Sequence, residues 1–371
     1  MSNCATIRKW VGHKLDTAIE RRLQCLAAAE DVSEIAVMPD VHLAGDVCNG
    51  VVVATKRMIY PQCIGGDIGC GYLCAEILAG DLIDEQTAAK ILDGLYRSVP
   101  INKHTDREPL EFNRELSGTN LAKAAMREGR LQLGTLGRGN HFVELQRSHD
   151  DRIFLLIHSG SRAMGQVITT HHLKRAEVDA SSKLKFLDAD TVRGQELLND
   201  IQWARQYASA NRLAMMAAIE REVFAPIGIK VDREGLIHLD HNHVQREMHD
   251  GDEFWVHRKG AQGLSPDQTS VIPGSMGTKT YLVTGRGNRD ALNSCSHGAG
   301  RSMSRTEAAK RISTKMLRRE MSEVWFDQRK ASSMVDESPS AYKNVRKVIK
   351  AQKELVRIVD QRVPILNFKG R

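Results

Sequence analysis

The sequence has few of the features that mark membrane, secreted or linker-rich proteins. Its 371 residues contain no apolar run of about 18 residues, and the N-terminal segment MSNCATIRKW lacks the apolar stretch of a signal peptide. Proline is scarce, with 9 residues against 29 glycines, and no segment is rich in proline and serine. These absences predict a folded, cytoplasmic protein with no membrane partner and no clear domain boundary.

The cysteines do not form the pattern of a disulfide framework. There are seven, an odd number, and they are scattered from Cys4 to Cys295 without a repeated spacing. No CxxC or HExxH pattern is present. A functional cysteine in this chain is therefore expected to be a metal ligand or a nucleophile.

Three common nucleotide-binding motifs are also absent. The chain has no GxxxxGK[ST], no GxGxxG after an apolar strand pattern, and no KxDG motif. It does carry an excess of positive charge, with 53 Lys and Arg against 46 Asp and Glu. The net charge of +7 favours a polyanionic partner such as nucleic acid, without specifying one.

The apolar periodicity predicts a mixture of helices and strands. Helices are expected over 14–30, 84–97, 117–129, 165–178, 192–224, 304–324 and 341–359, and strands over 34–39, 51–55, 151–158, 236–240, 253–258 and 279–284. They do not alternate as regular βαβ units, which favours an α+β fold of mixed or antiparallel sheets with surrounding helices. We expect a single large domain over residues 1–371.

Several residues with metal-binding side chains stand at the ends of apolar runs or in glycine-rich turns. They are Asp67 and Cys70 in GGDIGCG, and His141, His158, His241 and His297. Asp, Cys and His together suit a borderline transition metal, and a thiolate can bridge two such ions. Each histidine taken alone is more often an ordinary buried or surface residue, and the spacing does not establish a metal site.

His297 lies in a sequence suited to binding phosphate. It precedes Gly-Ala-Gly and stands just upstream of Arg301 and Arg305. Small residues allow backbone amides to approach a phosphate, and the arginines add positive charge. A neutral imidazole can attack an α-phosphate and form a labile phosphoramidate. A glycine-rich turn with an incidental histidine stays open as the alternative on this motif alone.

Eight short motifs follow one another in a fixed order. They are PDVH (39–42), GGDIGCG (65–71), GNHFVE (139–144), HSGSR (158–162), HN (241–242), VHRKGA (256–261), PGSMG (273–277) and SCSHGAGRSMSR (294–305). This series closely resembles the RtcB family of RNA-splicing ligases, and the likeness runs from about residue 34 to the C-terminal FKG. The resemblance implies an RtcB-like fold with a central dinuclear metal cleft.

The resemblance also implies an activity. The expected enzyme is a GTP- and Mn²⁺-dependent ligase that joins a 2′,3′-cyclic phosphate or 3′-phosphate RNA end to a 5′-hydroxyl end. Two Mn²⁺ ions are implied, one held by Asp67, Cys70 and His141 and the other by Cys70, His158 and His241. His297 is then the nucleophile that takes GMP from GTP. The GMP passes to the RNA 3′-phosphate, and the 5′-hydroxyl attacks that end and expels GMP.

The family's guanylate pocket maps onto several of the motifs. It comprises Asn140, His141, Phe142, Val143, Glu144, His241, Asn242, Pro273, Gly274, Ser275, Met276, Thr280, His297, Gly298, Ala299, Gly300 and Lys369. Glu144 can accept hydrogen bonds from guanine N1–H and N2–H₂, a pattern that adenine lacks. The expected contacts to RNA phosphates are Arg162, Arg258, Lys259, Arg301 and Arg305. His42 and His257 also lie in motifs and are expected to support the ligands.

The biological role has more than one reading. The compact chain and the segment RMIYPQCIGGDIGCG (57–71) resemble the bacterial branch named for its coupling to a peptide-release-factor homologue. That branch implies repair of cleaved RNA, such as ribosomal RNA, with a release-factor homologue or the ribosome as functional partner; tRNA splicing is the other role. The alternatives are a dinuclear metal phosphoesterase that acts on RNA cyclic-phosphate ends without ligation, and an RNA-binding module whose site has decayed.

Overall fold

The computed structural model describes residues 5–79, 83–106, 109–110 and 114–371. In this part of the chain the α-helices are α1 (Thr17–Ala27), α2 (Glu85–Ser98), α3 (Thr119–Ala124), α4 (Arg130–Gln132), α5 (Arg162–Leu173), α6 (Val192–Ile219), α7 (Arg305–Arg311), α8 (Thr314–Glu320) and α9 (Val345–Ala351). Short π-helical segments, Ala125–Gly129 and Glu220–Phe224, extend α3 and α6. Among the described helices, none combines the length and the apolar composition needed to cross a bilayer.

Within the described residues, the strands form two large sheets and two small ones. They are β1 (Thr6–Lys9), β2 (Val32–His42), β3 (Asn49–Thr55), β4 (Met58–Ile59), β5 (Gly71–Leu78), β6 (Phe142–Arg147), β7 (Ile153–Ser159), β8 (Glu177–Val178), β9 (Lys185–Asp188), β10 (Lys230–Asp240), β11 (Asn242–His249), β12 (Asp252–Lys259), β13 (Ala261–Gly263), β14 (Thr269–Pro273), β15 (Thr280–Gly285), β16 (Ser294–Ser296) and β17 (Val356–Lys369). The larger sheet has seven strands in the order β10-β5-β7-β6-β17-β15-β14, and the other has five in the order β1-β2-β3-β12-β11.

This topology confirms the predicted α+β class. Neighbouring strands of the seven-stranded sheet are antiparallel, and the five-stranded sheet adds one parallel pair, β1 with β2. The sheet therefore joins strands that range from β5 to the C-terminal β17. One domain over residues 1–371 stays a prediction, with which this long-range pairing agrees.

The helix α6 supports the loops at one edge of the seven-stranded sheet. Its apolar side chains pack with α2 against the sheet, where Leu155 and Ile219 are fully buried. Further along the same helix the buried Arg212 donates hydrogen bonds of 2.8 Å to the carbonyls of Gly69 and Ser159. Because a buried guanidinium must satisfy its donors, α6 holds both loops at this edge in fixed positions.

The C-terminal third differs most from the sequence prediction. The helix predicted over 341–359 is wrong beyond Ala351, because β17 begins at Val356 and pairs with β15. The segment predicted as one helix over 304–324 forms two helices, α7 and α8. Ser313 lies between them and caps α8, because its hydroxyl accepts a hydrogen bond from the Met316 amide at 3.2 Å. Tertiary pairing of the β-branched segment 356–359 overrides its local helical pattern.

Candidate functional site

Four neighbouring strands bring the predicted metal ligands to one edge of the large sheet. Cys70 directly precedes β5, His141 precedes β6, and His241 follows β10. His158 lies near the end of β7, where it pairs with Tyr72 of β5 and with Phe142 of β6. Because β10, β5, β7 and β6 are adjacent in the sheet, residues far apart in sequence lie side by side.

The ligand atoms of these residues are in mutual contact. Cys70 Sγ lies 3.4 Å from His141 Nε2 and 3.2 Å from His158 Nε2. His141 Nε2 also lies 2.9 Å from Asp67 Oδ2, and His158 Nε2 lies 3.1 Å from His241 Nε2. Cys70, His141 and His158 form a candidate metal-binding cluster with ligand atoms within 4.8 Å of one another. Asp67 and His241 extend that cluster on either side.

Hydrogen bonds on the far side of each imidazole set its tautomer. The Nδ1 atoms of His141, His158 and His241 lie 3.0, 3.2 and 3.3 Å from Leu136 O, Asn140 O and Asn242 Oδ1. The two backbone carbonyls can only accept a hydrogen bond. The Asn242 oxygen is identified by the Gly260 amide, which donates to it at 2.8 Å. Each Nδ1 therefore carries the proton, and each Nε2 directs a lone pair into the cluster.

This arrangement fits a bound cation. The lone pairs of His158 and His241 face each other across 3.1 Å, which is unfavourable unless a positive ion lies near both. Burial lowers the pKa of both rings well below the ordinary range, which keeps them neutral and able to coordinate. Burial raises the pKa of the Cys70 thiol, and the Asp67 charge raises it further, so a cation is needed to favour the thiolate.

The carboxylate of Asp67 lies at the edge of the cluster. Its Oδ2 faces the lone pair of His141 Nε2 at 2.9 Å, a contact that a cation bound between the two atoms would stabilise. Its second oxygen accepts a hydrogen bond of 3.0 Å from the Ser161 amide. One carboxylate, one thiol and three imidazoles form a donor set that suits Mn²⁺ or Zn²⁺.

His297 lies beside this cluster and is oriented by Asp40. The Nδ1 atom and the backbone amide of His297 lie 2.6 and 3.2 Å from Oδ2 of the fully buried Asp40. The Nδ1–H therefore donates to the carboxylate, and in the neutral ring Nε2 carries the lone pair. The imidazole ring lies 4.7 Å from that of His241, between centroids. Gly300, with φ +69°, allows the close approach, because a Cβ there would collide with Asp40 O.

Asp40 faces His297, and the sequence alone does not single it out. It stands in the PDVH motif, in which only His42 is a predicted site residue. His42 instead lies 2.9 Å from the Asp40 carbonyl through its Nδ1. Lys343 donates hydrogen bonds to the carbonyls of Pro39 and Val41, on either side of Asp40. The motif was the available clue, but only the fold shows which of its side chains faces His297.

A large open cleft of about 1630 Å³ lies over His297 and His158. Of the predicted guanylate pocket, it is lined by Asn140, Phe142, Glu144, Pro273, Gly274, Ser275, Met276, His297, Gly298, Ala299, Gly300 and Lys369. The others, which are His141, Val143, His241, Asn242 and Thr280, do not line it. Val143 faces the hydrophobic core because side chains alternate along β6, with Phe142 and Glu144 on the cleft side.

Glu144 is held from two sides by amide groups. Gln146 Nε2 donates to its Oε1 at 2.7 Å, and Asn367 Nδ2 donates to its Oε2 at 2.6 Å. Thr280 lies one step behind, because its hydroxyl accepts from Gln146 at 2.7 Å. Burial raises the pKa of Glu144 to about 7, although both hydrogen bonds oppose the rise. Gln146 and Asn367 were not predicted from the sequence.

A compact network of ion pairs, formed by residues from the C-terminal part of the chain, borders the cleft. Lys369 and Arg305 both contact Glu337, and Arg305 also lies 2.6 Å from Asp336. Arg301 donates to the Asp336 carbonyl at 2.7 Å. Burial opposes ionisation of Glu337, but these cations lower its pKa to about 2. The network fixes three of the predicted contact side chains at the cleft wall.

The other three residues expected to contact RNA phosphates lie elsewhere. Arg258 is only 1% exposed and is paired with Glu247. Lys259 donates to two backbone carbonyls, at 2.9 and 2.6 Å. Arg162 donates to the Thr135 hydroxyl at 3.1 Å and to a backbone carbonyl. None of the three lines the cleft, and their contact with RNA phosphates stays a prediction.

Fold and site together define a class: α+β proteins with a cluster of Asp, Cys and His side chains beside a glycine-rich loop that carries an Asp-paired histidine. The family model described as tRNA-splicing ligase RtcB matches residues 22–123 and 104–370. The chain belongs to the RtcB family, which confirms the resemblance found in its motifs.

Several curated relatives match over most of their length. RNA-splicing ligase RtcB of Escherichia coli strain K12 is 34% identical, over 91% of this chain and 90% of the relative. RNA-splicing ligase RtcB2 of Escherichia coli strain ATCC 25922 is 28% identical, over 89% and 85%. The tRNA-splicing ligase RtcB of Pyrobaculum aerophilum is 28% identical, over 90% and 87%. The similarity therefore extends across bacterial and archaeal relatives of comparable length.

Proposed function

We propose that this protein is an RNA ligase that joins a 2′,3′-cyclic phosphate or 3′-phosphate end to a 5′-hydroxyl end. The observation that carries the proposal is that the Asp67–Cys70–histidine cluster and the Asp40-paired His297 meet at one cleft. Membership of the RtcB family, whose relatives are named as RNA-splicing ligases, supports the reaction class.

His297 is the proposed nucleophile toward GTP. Its Nε2 attacks the α-phosphorus, the bond from that phosphorus to the bridging oxygen breaks, and pyrophosphate leaves. Asp40 holds the Nδ1–H and stabilises the positive charge that develops on the ring. A 2′,3′-cyclic phosphate end is first opened by water to a 3′-phosphate. An oxygen of the RNA 3′-phosphate then attacks the phosphorus of the guanylyl group, and the bond from that phosphorus to His297 breaks. The RNA 5′-hydroxyl loses its proton as it attacks the activated 3′ end, which forms the new phosphodiester bond and expels GMP.

Two Mn²⁺ ions are the proposed resident metals. Asp67, Cys70 and His141 would hold one, and Cys70, His158 and His241 the other, with the thiolate shared. When bound, such ions offset negative charge on phosphoryl oxygens. The protein's part is to aim the Nε2 atoms of the three imidazoles inward through their Nδ1 hydrogen bonds.

GTP is the proposed nucleotide because Glu144 lines the cleft with acceptor capacity to spare. Each of its oxygens accepts one amide hydrogen bond and retains a second lone pair. Guanine N1–H and N2–H₂ match a carboxylate acceptor, whereas adenine has no donor at N1. Phe142 and Met276 supply apolar surface on which a base can pack.

The biological role is proposed as RNA repair in the cytoplasm, with a release-factor homologue or the ribosome as functional partner; tRNA splicing is the other role. A ligation assay that compares cleaved tRNA with cleaved ribosomal RNA fragments separates these roles. Preferential joining of the ribosomal fragments supports repair, and preferential joining of tRNA halves supports splicing.

The chemistry is tested by incubating the protein with α-labelled GTP and Mn²⁺. We expect an acid-labile, alkali-stable guanylate adduct that is absent from His297→Ala and present in His149→Ala, whose imidazole is 82% exposed. Absence of the adduct from the folded wild type contradicts the ligase. Full turnover of RNA cyclic-phosphate ends by His297→Ala, without ligation, favours the phosphoesterase instead.

A further inference from the structure

The cleft is larger than its proposed nucleotide requires. Its volume of about 1630 Å³ exceeds the roughly 300–1,000 Å³ of ordinary small-molecule sites. Beyond His297 the lining continues along the segment 12–16 and along α9. These two pieces adjoin, since a Cβ at Gly12 would lie 3.7 Å from the Ala351 Cβ. The cleft therefore has a second arm that the nucleotide does not fill.

Three exposed lysines line this second arm. Lys347 and Lys350 stand three residues apart on α9, so they share one helix face, and Lys14 lies on the adjoining segment. Within the described residues none of the three has an acidic side chain within 4.0 Å. Two of the acidic residues of the cleft wall have partners of their own: Glu307 pairs with Arg311 at 2.9 Å, and Asp16 caps α1 by accepting from the Ala18 amide at 2.7 Å.

Hydrogen bonds connect the start of α9, the helix that carries Lys347 and Lys350, to the residue that orients His297. Lys343, at the start of the α9 segment, donates to the backbone carbonyls on either side of Asp40, and Asp40 holds His297. Asn344 caps α9 by accepting from the amides of Arg346 and Lys347 at 3.0 and 3.3 Å. Because α9 is fixed relative to Asp40, a polyanion bound to Lys347 and Lys350 would lie at a defined distance from Nε2 of His297.

We propose that Lys14, Lys347 and Lys350 form a phosphate track that leads one RNA strand toward His297. The inference rests on the proposed function and adds which side chains hold the substrate backbone. Lysines act as point charges, and contacts to phosphates carry no base information. The track therefore binds RNA without sequence preference. The strand that ends in 3′-phosphate and the strand that begins with 5′-hydroxyl present the same backbone chemistry.

The test compares two double variants of equal charge. Lys347→Ala/Lys350→Ala removes two track lysines, and Arg346→Ala/Lys353→Ala removes two exposed cations beside them that do not line the cleft. Binding of a labelled 3′-phosphate oligonucleotide and a labelled 5′-hydroxyl oligonucleotide is measured separately across a salt series. Each protein is also assayed for guanylate-adduct formation without RNA.

We expect the track variant to bind at least one oligonucleotide roughly tenfold more weakly at low salt, with adduct formation unchanged. The slope of its plot of log affinity against log salt concentration should be shallower by about 1.4, because each of the two lost phosphate contacts on a single strand contributes about 0.7. Lys14→Ala added to this variant should weaken binding further, and the control pair should change affinity less than about twofold. Loss for one oligonucleotide assigns the track to that strand, and loss for both shows that the strands share it.

Unchanged affinity and salt slope in the track variant, or an equal loss in the control pair, overturns the track. Either result leaves the proposed function standing, because wild-type ligation and adduct formation are measured independently. Failure of the wild type to form the adduct overturns the ligase itself. Lys350→Glu provides a second variant: reversing one exposed charge should weaken RNA binding more than Lys350→Ala does, and equal binding by the two contradicts a phosphate contact.

Discussion

Asp40 Oδ2 lies 2.6 Å from Nδ1 of His297, and the same oxygen accepts the His297 backbone amide at 3.2 Å. One buried carboxylate thus fixes both the tautomer and the position of the proposed nucleophile. The charge matters as well as the geometry, because the ring becomes positive when Nε2 forms a bond to phosphorus.

Asp40→Asn is therefore expected to slow formation of the guanylate adduct roughly 10²-fold or more, while binding of GTP changes little. The amide keeps the shape of the side chain but removes the charge. Single-turnover labelling with α-labelled GTP measures the rate, and calorimetry measures binding. Asp46→Asn, at an exposed position on the loop after β2, is the control. A rate in Asp40→Asn equal to that of the control contradicts the proposed role.

Cys70 is the residue whose loss should affect both metal positions. Its Sγ contacts His141 on one side and His158 on the other, so Cys70→Ala removes a donor shared by both proposed ions. We expect the purified variant to lose bound metal, measured by mass spectrometry, and to lose ligation by about 10³-fold or more.

The control for this substitution uses two cysteines away from the cluster. Cys25 and Cys48 contact none of the predicted metal ligands, and Cys25 donates to the Ser182 carbonyl at 3.2 Å. Cys25→Ala and Cys48→Ala should retain metal and activity. Equal loss across the three variants contradicts the bridging role of Cys70.

The sequence motifs identify the candidate metal ligands, but the order of strands in the sheet determines that these ligands lie side by side. Ordered motifs indicated Asp67, Cys70, His141, His158 and His241, and these lie together. Their spacing alone did not predict this, because adjacency arises from the order of β10, β5, β7 and β6 in the sheet.

Asn367 shows why other site residues were missed. It pairs with Glu144 across β17 and β6, so its amide reaches the Glu144 carboxylate. Its strand begins at Val356, inside a segment whose local pattern predicted a helix. Because β17 is not predicted, its register against β6 is not predicted either, and nothing else in the sequence connects Asn367 with Glu144.

The raised pKa of Glu144 predicts that the proposed nucleotide binding depends on pH. Burial raises this pKa to about 7, and the carboxylate must be ionised to accept hydrogen bonds from guanine. Binding of GMP is therefore expected to weaken as pH falls below about 7 and to level off above about pH 8. Calorimetric titration at a series of pH values measures the affinity for GMP. Protonation of the GMP phosphate also changes this affinity, but it does so equally in the wild type and in any variant.

Glu144→Gln separates the two contributions. The amide cannot ionise, so the variant should bind GMP roughly 10- to 100-fold more weakly at pH 8 and retain only the phosphate's pH dependence. Its preference for guanine over adenine nucleotides should also fall. Identical pH profiles for wild type and Glu144→Gln contradict the role of the carboxylate.

Asn367→Asp tests whether the flanking amides keep Glu144 ionisable. The substitution keeps the size of the side chain but places a second carboxyl group where an amide now donates at 2.6 Å to Glu144 Oε2. Two carboxylates this close do not both ionise readily, so one proton is retained to higher pH. We expect the midpoint of GMP binding to rise by more than about one pH unit, with affinity at pH 7 lowered about tenfold and recovered at higher pH. Asn120→Asp, at an exposed site on α3, controls for added negative charge. A merely structural role for Asn367 predicts a loss of affinity that raising the pH does not restore, and that result would contradict its part in setting the charge of Glu144.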